Sequence, residues 1–239
     1  MSAYPTTPPW RNPVIRSLSF STAILAGVNG TEQRWMRSTG VESWTLPYTR
    51  LTVAKRDILF AAFEAAKGAY DQTISLQFDA DHNYTGLYFD ADSLSFTEDS
   101  PTVFSGTVKL CTVVRTADSG TLPTDFPLLS TGAPSQRPYT KSSDFDTVSV
   151  RTEGGRFAYP RRSSALHTWT VGGAAITTTE AQAIWDMFRL AGGMLQAFAY
   201  TDADSTTRYT KCRFGADSIE WRMLGPNQNS IVTTVKELV

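Results

Sequence analysis

The sequence predicts a mainly β fold of the α+β kind: two tandem β-barrel or sandwich domains, each with one packed α-helix. Three observations predict it. The chain repeats itself at an offset of about 125 residues, far longer than a solenoid period. Strand-like runs recur about every ten residues between turn signals. Each repeat also holds a single stretch of helical periodicity.

The repeat is visible residue by residue. Phe20 aligns with Phe145, Thr22 with Thr147, Gly30 with Gly155 and Arg37-Ser38 with Arg162-Ser163. Trp44-Thr45 aligns with Trp169-Thr170, Thr52 with Thr177, Phe63 with Phe188, and Gly68 with Gly193. Tyr84-Thr85, Phe89 and Ala91-Asp92-Ser93 meet Tyr209-Thr210, Phe214 and Ala216-Asp217-Ser218. Trp44, Phe63 and Gly68, with Trp169, Phe188 and Gly193, are the repeat positions taken to set core and helix ends.

The 239 residues suffice for two ordinary domains, and 13 Phe, 9 Tyr and 6 Trp suffice for two cores. A formal net charge of −1 argues against a general binder of nucleic acid or of a membrane surface. It leaves room for a channel through which DNA merely passes. The two cysteines, Cys111 and Cys212, are not equivalent in the repeats and read as isolated buried thiols rather than a disulfide. The first residues lack a cationic segment followed by an apolar run, and no stretch approaches a membrane span, so synthesis in a cytoplasm is expected.

Residues 1–13 read as an extended arm, because Pro5, Pro8, Pro9 and Pro13 exclude regular helix. The first domain is placed at 14–115. It opens with a strand from Val14 to Leu25, a turn at Val28-Asn29-Gly30, and a second strand pair ending near Pro47. A helix follows from Thr52 to about Lys67, with Leu59, Phe63 and Ala66 on its apolar face beside Ile58 and Ala62. Gly68 stops it. Strands are expected at Ile74–Phe78, Tyr84–Asp90, Ser93–Thr97 and Val103–Val114. Residues 116–141, rich in Thr, Ser, Pro, Gly and Asp, read as a linker or long loop.

The second domain, 142–239, replays the order. Strands are expected at Ser149-Val150, Arg156–Arg162 and Leu166–Val171, and the helix runs from Thr177 to about Ala191. Thr177-Thr178-Thr179-Glu180 is a capping box, in which Thr177 and Glu180 satisfy each other's amides. Gly192-Gly193 closes that helix, and four more strands lead to Leu238.

Chemistry-bearing motifs are sparse. His82 and His167 are not equivalent and, with two cysteines, do not compose a zinc site. No nucleophile elbow surrounds a serine. Asp79-Ala80-Asp81-His82-Asn83 lacks the glycine of a calcium loop, and its counterpart Asp202-Ala203-Asp204 points to a shared hairpin turn. No catalytic, cofactor or metal residue is assigned, and no enzyme is expected. Arg34 and Arg37, with Arg156 and Arg162 in the second repeat, are candidate subunit-interface residues. The same arginines also read as edge-strand charges that block aggregation.

Gly30-Thr31-Glu32-Gln33-Arg34-Trp35, then Trp44-Thr45-Leu46, then the helix with Phe60, Phe63 and Gly68, then Phe78-Asp79-Ala80-Asp81 form an ordered series. It resembles the distal tail protein family of long-tailed bacteriophages and gene transfer agents, over about residues 25–85. The second repeat keeps the helix, Gly193 and the aspartate turn, but has Gly155-Arg156-Phe157 in place of the Glu-Gln-Arg run. The resemblance implies tail-tube-like domains without cofactor. It implies a virion protein at the distal tail, assembled in the host bacterial cytoplasm and forming a homo-oligomeric ring between tail tube and hub or tip. Partners would be the tail tube protein, the hub or tip proteins and the tape measure protein, with DNA crossing the lumen unbound. Duplication then permits a trimer with pseudo-sixfold symmetry, with a hexamer as the competing arrangement. The alternative function is a receptor- or carbohydrate-binding module of the tail tip or baseplate.

Overall fold

The computed structural model describes residues 2–7, 9–26, 32–70, 74–77, 83–112, 120–145, 150–151, 157–158 and 165–238. The first half holds β1 (Ser2–Ala3), β2 (Val14–Ala26), β3 (Glu32–Thr52), α1 (Val53–Ala65), β4 (Ile74–Gln77), β5 (Asn83–Phe89), β6 (Phe96–Ser100) and β7 (Val103–Thr112). The second holds β8 (Lys141–Asp144), β9 (Val150–Arg151), β10 (Phe157–Ala158), β11 (Leu166–Ile176) and α2 (Thr178–Ala191). It ends with β12 (Phe198–Thr201), β13 (Arg208–Phe214), β14 (Ser218–Gly225) and β15 (Gln228–Glu237). The fold is mainly β.

Thirteen strands form one large, almost wholly antiparallel sheet, ordered β1-β4-β5-β7-β3-β2-β14-β15-β11-β8, with β6 on β7, and β13 joining β12 to β15; β9 and β10 pair apart as a two-stranded ribbon. The repeat seen in sequence is kept in the pairing register. Trp44 pairs with Leu110 and Trp169 with Val235. Phe89 pairs with Leu110 and Phe214 with Val235. Phe96 pairs with Gly106 and Trp221 with Ile231. Even the hairpin ends agree: Ala26 faces Glu32, and Arg151 faces Phe157. Such agreement follows from the period-2 pleat, since a slip of one residue would turn every core side chain to solvent.

The two helices share start and stop chemistry. Thr52 Oγ1 accepts from Lys55 N, and Thr177 Oγ1 accepts from Glu180 N. At the other end, Gly68 N donates to Phe63 O at 3.1 Å and Gly193 N to Phe188 O at 3.2 Å, the six-residue closure of a left-handed cap. The regular part of α1 ends at Ala65, two residues short of the sequence expectation, because Lys67 and Gly68 both take positive φ. Ile58, placed beside the apolar face by periodicity, is exposed, and Leu59 is the buried residue of α1. By contrast α2 buries Ala181, Ile184, Trp185, Met187, Phe188 and Ala191. β3 runs unbroken through Pro47 to the helix, where sequence suggested an end.

The two halves have separate cores. One gathers Trp44, Leu46, Tyr48, Leu59, Leu76, Leu87 and Leu110; the other gathers Trp169, Trp185, Phe188, Tyr200, Phe214 and Trp221. Of residues 116–141, read as a linker or long loop, the described part, 120–141, packs as a second copy of the N-terminal arm. Arg11 N donates to Pro47 O and Gln136 N to Gly172 O, both at 2.8 Å. Tyr4 is buried in the first core, and Leu129, with Phe126, in the second. The arms also carry cis peptides at Asn12–Pro13 and Arg137–Pro138. Cys111 and Cys212 are free and buried.

Candidate functional site

The halves are joined edge to edge. β2 of the first repeat pairs antiparallel with β14 of the second, with Ile15 opposite Arg222, Arg16 opposite Trp221 and Leu18 opposite Ile219. A cation sits in the middle of this seam. The Arg16 guanidinium lies 4.4 Å from the Trp185 ring, 5.0 Å from Tyr84, 5.5 Å from Trp221 and 5.8 Å from Trp44. Its Nε donates to Glu42 Oε1, and both side chains are buried. Burying an ion pair costs desolvation, which here is offset by the pairing and by the faces of four aromatic rings.

Lys141 occupies the matching position of the second repeat, opposite Trp169 as Arg16 is opposite Trp44. Its ammonium lies 5.8 Å from Trp169 and 6.0 Å from Tyr209, and 2.5 Å from Asp202 Oδ2. The hydrogen bond to Asp202 pushes the Lys141 pKa up. Burial works to raise the Asp202 carboxyl, but the bonds from Lys141 and the Asp204 amide outweigh it and hold it below its ordinary value. Asp202 Oδ1 accepts from Asp204 N at 3.2 Å, as expected for a turn. Asp79 to His82, the run weighed against calcium, lie outside the described residues.

Each helix end is clamped by an aspartate. Asp92 Oδ1 accepts from Ala69 N at 3.0 Å, and Asp217 Oδ1 from Met194 N at 2.9 Å. A Cβ on Gly68 or Gly193 would lie 3.0 or 2.7 Å from the same carboxylate oxygen, at a positive φ. This accounts for two of the repeat positions. Phe63 and Phe188 serve as helix-to-sheet contacts, edge-on to Phe89 at 5.0 Å and to Phe214 at 4.9 Å. Trp44 and Trp169 are core.

Asp217 does more than its twin, since it also accepts from Thr22 N at 2.7 Å and Thr22 Oγ1 at 2.9 Å across the seam. Phe20 N donates to Asp217 O, and the Phe20 ring packs 5.8 Å from Phe188. Among the candidate interface arginines, Arg34 Nη1 donates to Met194 O at 3.2 Å, a contact between repeats within the chain. Arg37 is exposed; Arg156 and Arg162 lie outside the described residues. Arg16, Glu42, Lys141 and the seam role of Asp217 escaped sequence reasoning. For Arg16 and Lys141 the one signal was a cation at equivalent places of the two repeats.

Where the seam reaches the surface, a cleft of about 270 Å³ is lined by Trp10, Tyr84, Gln182, Trp221, Asn227 and Asn229 among others. Trp221 Nε1 donates to Asn229 Oδ1 at 2.8 Å, which fixes part of its wall. Among the described residues no group of three His, Cys, Asp or Glu side chains converges to hold a metal ion, and no helix is long and apolar enough to cross a membrane. No protein-family model matches the chain, and no curated protein matches it in sequence.

Proposed function

We propose that this chain is a structural virion protein of a tailed bacteriophage, built from two tandem tail-tube-like domains, each a β-barrel or sandwich with one helix. Copies form a ring at the distal tail that connects the tail tube to the hub and leaves a lumen for DNA. The observation that carries the reading is the seam: two register-equivalent repeats already joined edge to edge, as neighbouring units of a ring would be. The ordered resemblance around Gly30–Asp81 supplies the tail. No catalytic set enters the reading, in which the protein contributes geometry rather than chemistry.

Purified protein imaged by negative stain should show annular particles, and native mass spectrometry should give three or six chains. Three chains would present six similar units and match sixfold to threefold partners. Monomer alone at tens of micromolar would overturn the ring. The cleft beside Trp10 and Tyr84 favours a second reading, a carbohydrate-binding module, because rings flanked by the Asn227 and Gln182 amides suit sugar stacking. Glycan-array binding abolished by Trp10→Ala would support it.

A further inference from the structure

The seam leaves two loose ends. Within the chain, β14 of the second repeat receives β2 of the first. The register counterparts of these strands are β6 and β8. Among the described residues β6 pairs with β7 alone and β8 with β11 alone, so each presents an open edge. We propose that β6 of one copy receives β8 of a second copy of this chain, repeating the internal seam between molecules. Carrying the seam's register across sets Phe96 opposite Lys141, Thr97 opposite Thr140 and Ser95 opposite Ser142.

Side chains at the open edge match the closed one. At the seam, the rings of Trp185 of α2 and Trp221 of β14 lie 6.0 Å apart, tilted at 57°, under the Arg16 cation. At the open edge the same positions hold Phe60 of α1 and Phe96 of β6, edge-on at 5.5 Å. Both are half-buried rather than covered, and the cation that would lie over them is Lys141 of the incoming copy. Phe145, counterpart of the packed Phe20, is 53% exposed. The contrast in helix burial fits this: α2 is met from the other repeat by Arg16, over Trp185, and by Phe20, against Phe188, and α1 has no such cover within the described residues. Glu98 and Asp99 on β6 would also bring acidic charge near Arg137, which precedes β8, and Lys141, its first residue. Leu18 is replaced by Ser143, so the intermolecular seam is more polar, as suits an edge that is wet before assembly.

The contact is heterologous, head to tail, so every copy uses both edges and the chain of contacts closes into a ring when its rotation allows. The proposal deepens the ring reading and rests on it, but names the edge. Its test is a register-specific disulfide, because directly opposed strand residues lie about 4.5–5.5 Å apart between Cα atoms, within disulfide range. Thr97→Cys protein and Thr140→Cys protein, mixed and mildly oxidised, should give covalent heterodimers, and the double variant a ladder ending at the closed ring. Neither single variant alone should cross-link. Ser95→Cys with Ser142→Cys serves as an independent pair if the first perturbs folding. Annular particles without cross-linking in either pair, or a single variant that cross-links to itself, overturn this edge and leave the ring standing. Absence of both particles and cross-links sinks both.

Discussion

Asp217 accepts the amide hydrogen of Thr22 at 2.7 Å although 195 positions separate them, and the same carboxylate caps the end of α2 through Met194 N. One side chain thus fastens helix, turn and seam. Asp92 makes the helix contact alone among the bonds described for it.

Removing Asp217 should therefore cost more than removing its twin. Asp217→Ala is expected to lose about 3 kcal/mol, since several bonds to a charged acceptor go at once. Asp92→Ala should lose less than half of that. Urea unfolding curves of the two variants, compared at equal m-value, measure the difference; equal losses would remove the seam role.

Lys67 holds φ 52° where the second repeat has Gly192 at φ 63°. Lys67→Gly should relieve the left-handed strain and stabilise by about 0.5–1 kcal/mol. Gly192→Ala should destabilise by at least as much, because its new Cβ would also meet Met36 at 2.8 Å. Thermal melts of both variants read the opposite signs.

The Arg16–Glu42 pair should behave as a buried pair does. Glu42→Ala strands the cation among the rings and is expected to cost about 3–5 kcal/mol. The double change Arg16→Met with Glu42→Leu should cost clearly less than the two single changes together. A double-mutant cycle by denaturation gives the coupling, and additive losses would show that the pair is not acting as a unit.

Bonds from Ser130 N at 2.6 Å and Thr177 N at 2.8 Å hold the Glu180 carboxyl down at about 2, from an ordinary 4.5. A depressed carboxylate stabilises fully above the unfolded value. That contribution should fade as pH falls from about 4.5 towards 2. In Glu180→Gln this part of the acid dependence should be absent, while Thr177→Ala should cost about 1 kcal/mol at neutral pH. Stability measured at pH 7, 4 and 2.5 separates the two.

Burial pushes both thiols up to about 12. Native protein at pH 8 should react with a thiol reagent at a small fraction of the rate seen in urea, where two equivalents should be released. Fast native labelling of either cysteine would contradict its burial.

Much of the fold was legible because local chemistry repeats. Thr52 and Thr177 announced helix starts, Gly68 and Gly193 the stops, and the aromatic pairs Trp44/Trp169 and Phe89/Phe214 the strands of the core. Residues 120–141 misled as a linker because their composition is polar and proline-rich. Only the pairing with β11 and the burial of Phe126 and Leu129 give them away as an arm. Nothing local marks Arg16: a lone arginine in a strand resembles an edge charge until four rings close around it.

By itself, then, the sequence determined the duplication, the mainly β class and the caps, since these depend on neighbours a few residues apart and on an alternation that survives copying. Tertiary structure decided how the copies meet. The union of β2 with β14, the ring-lined cation and the clasp of Asp217 on Thr22 join residues about two hundred positions apart. No local periodicity encodes such contacts; they depend on which sheet edge is left open once each half has folded.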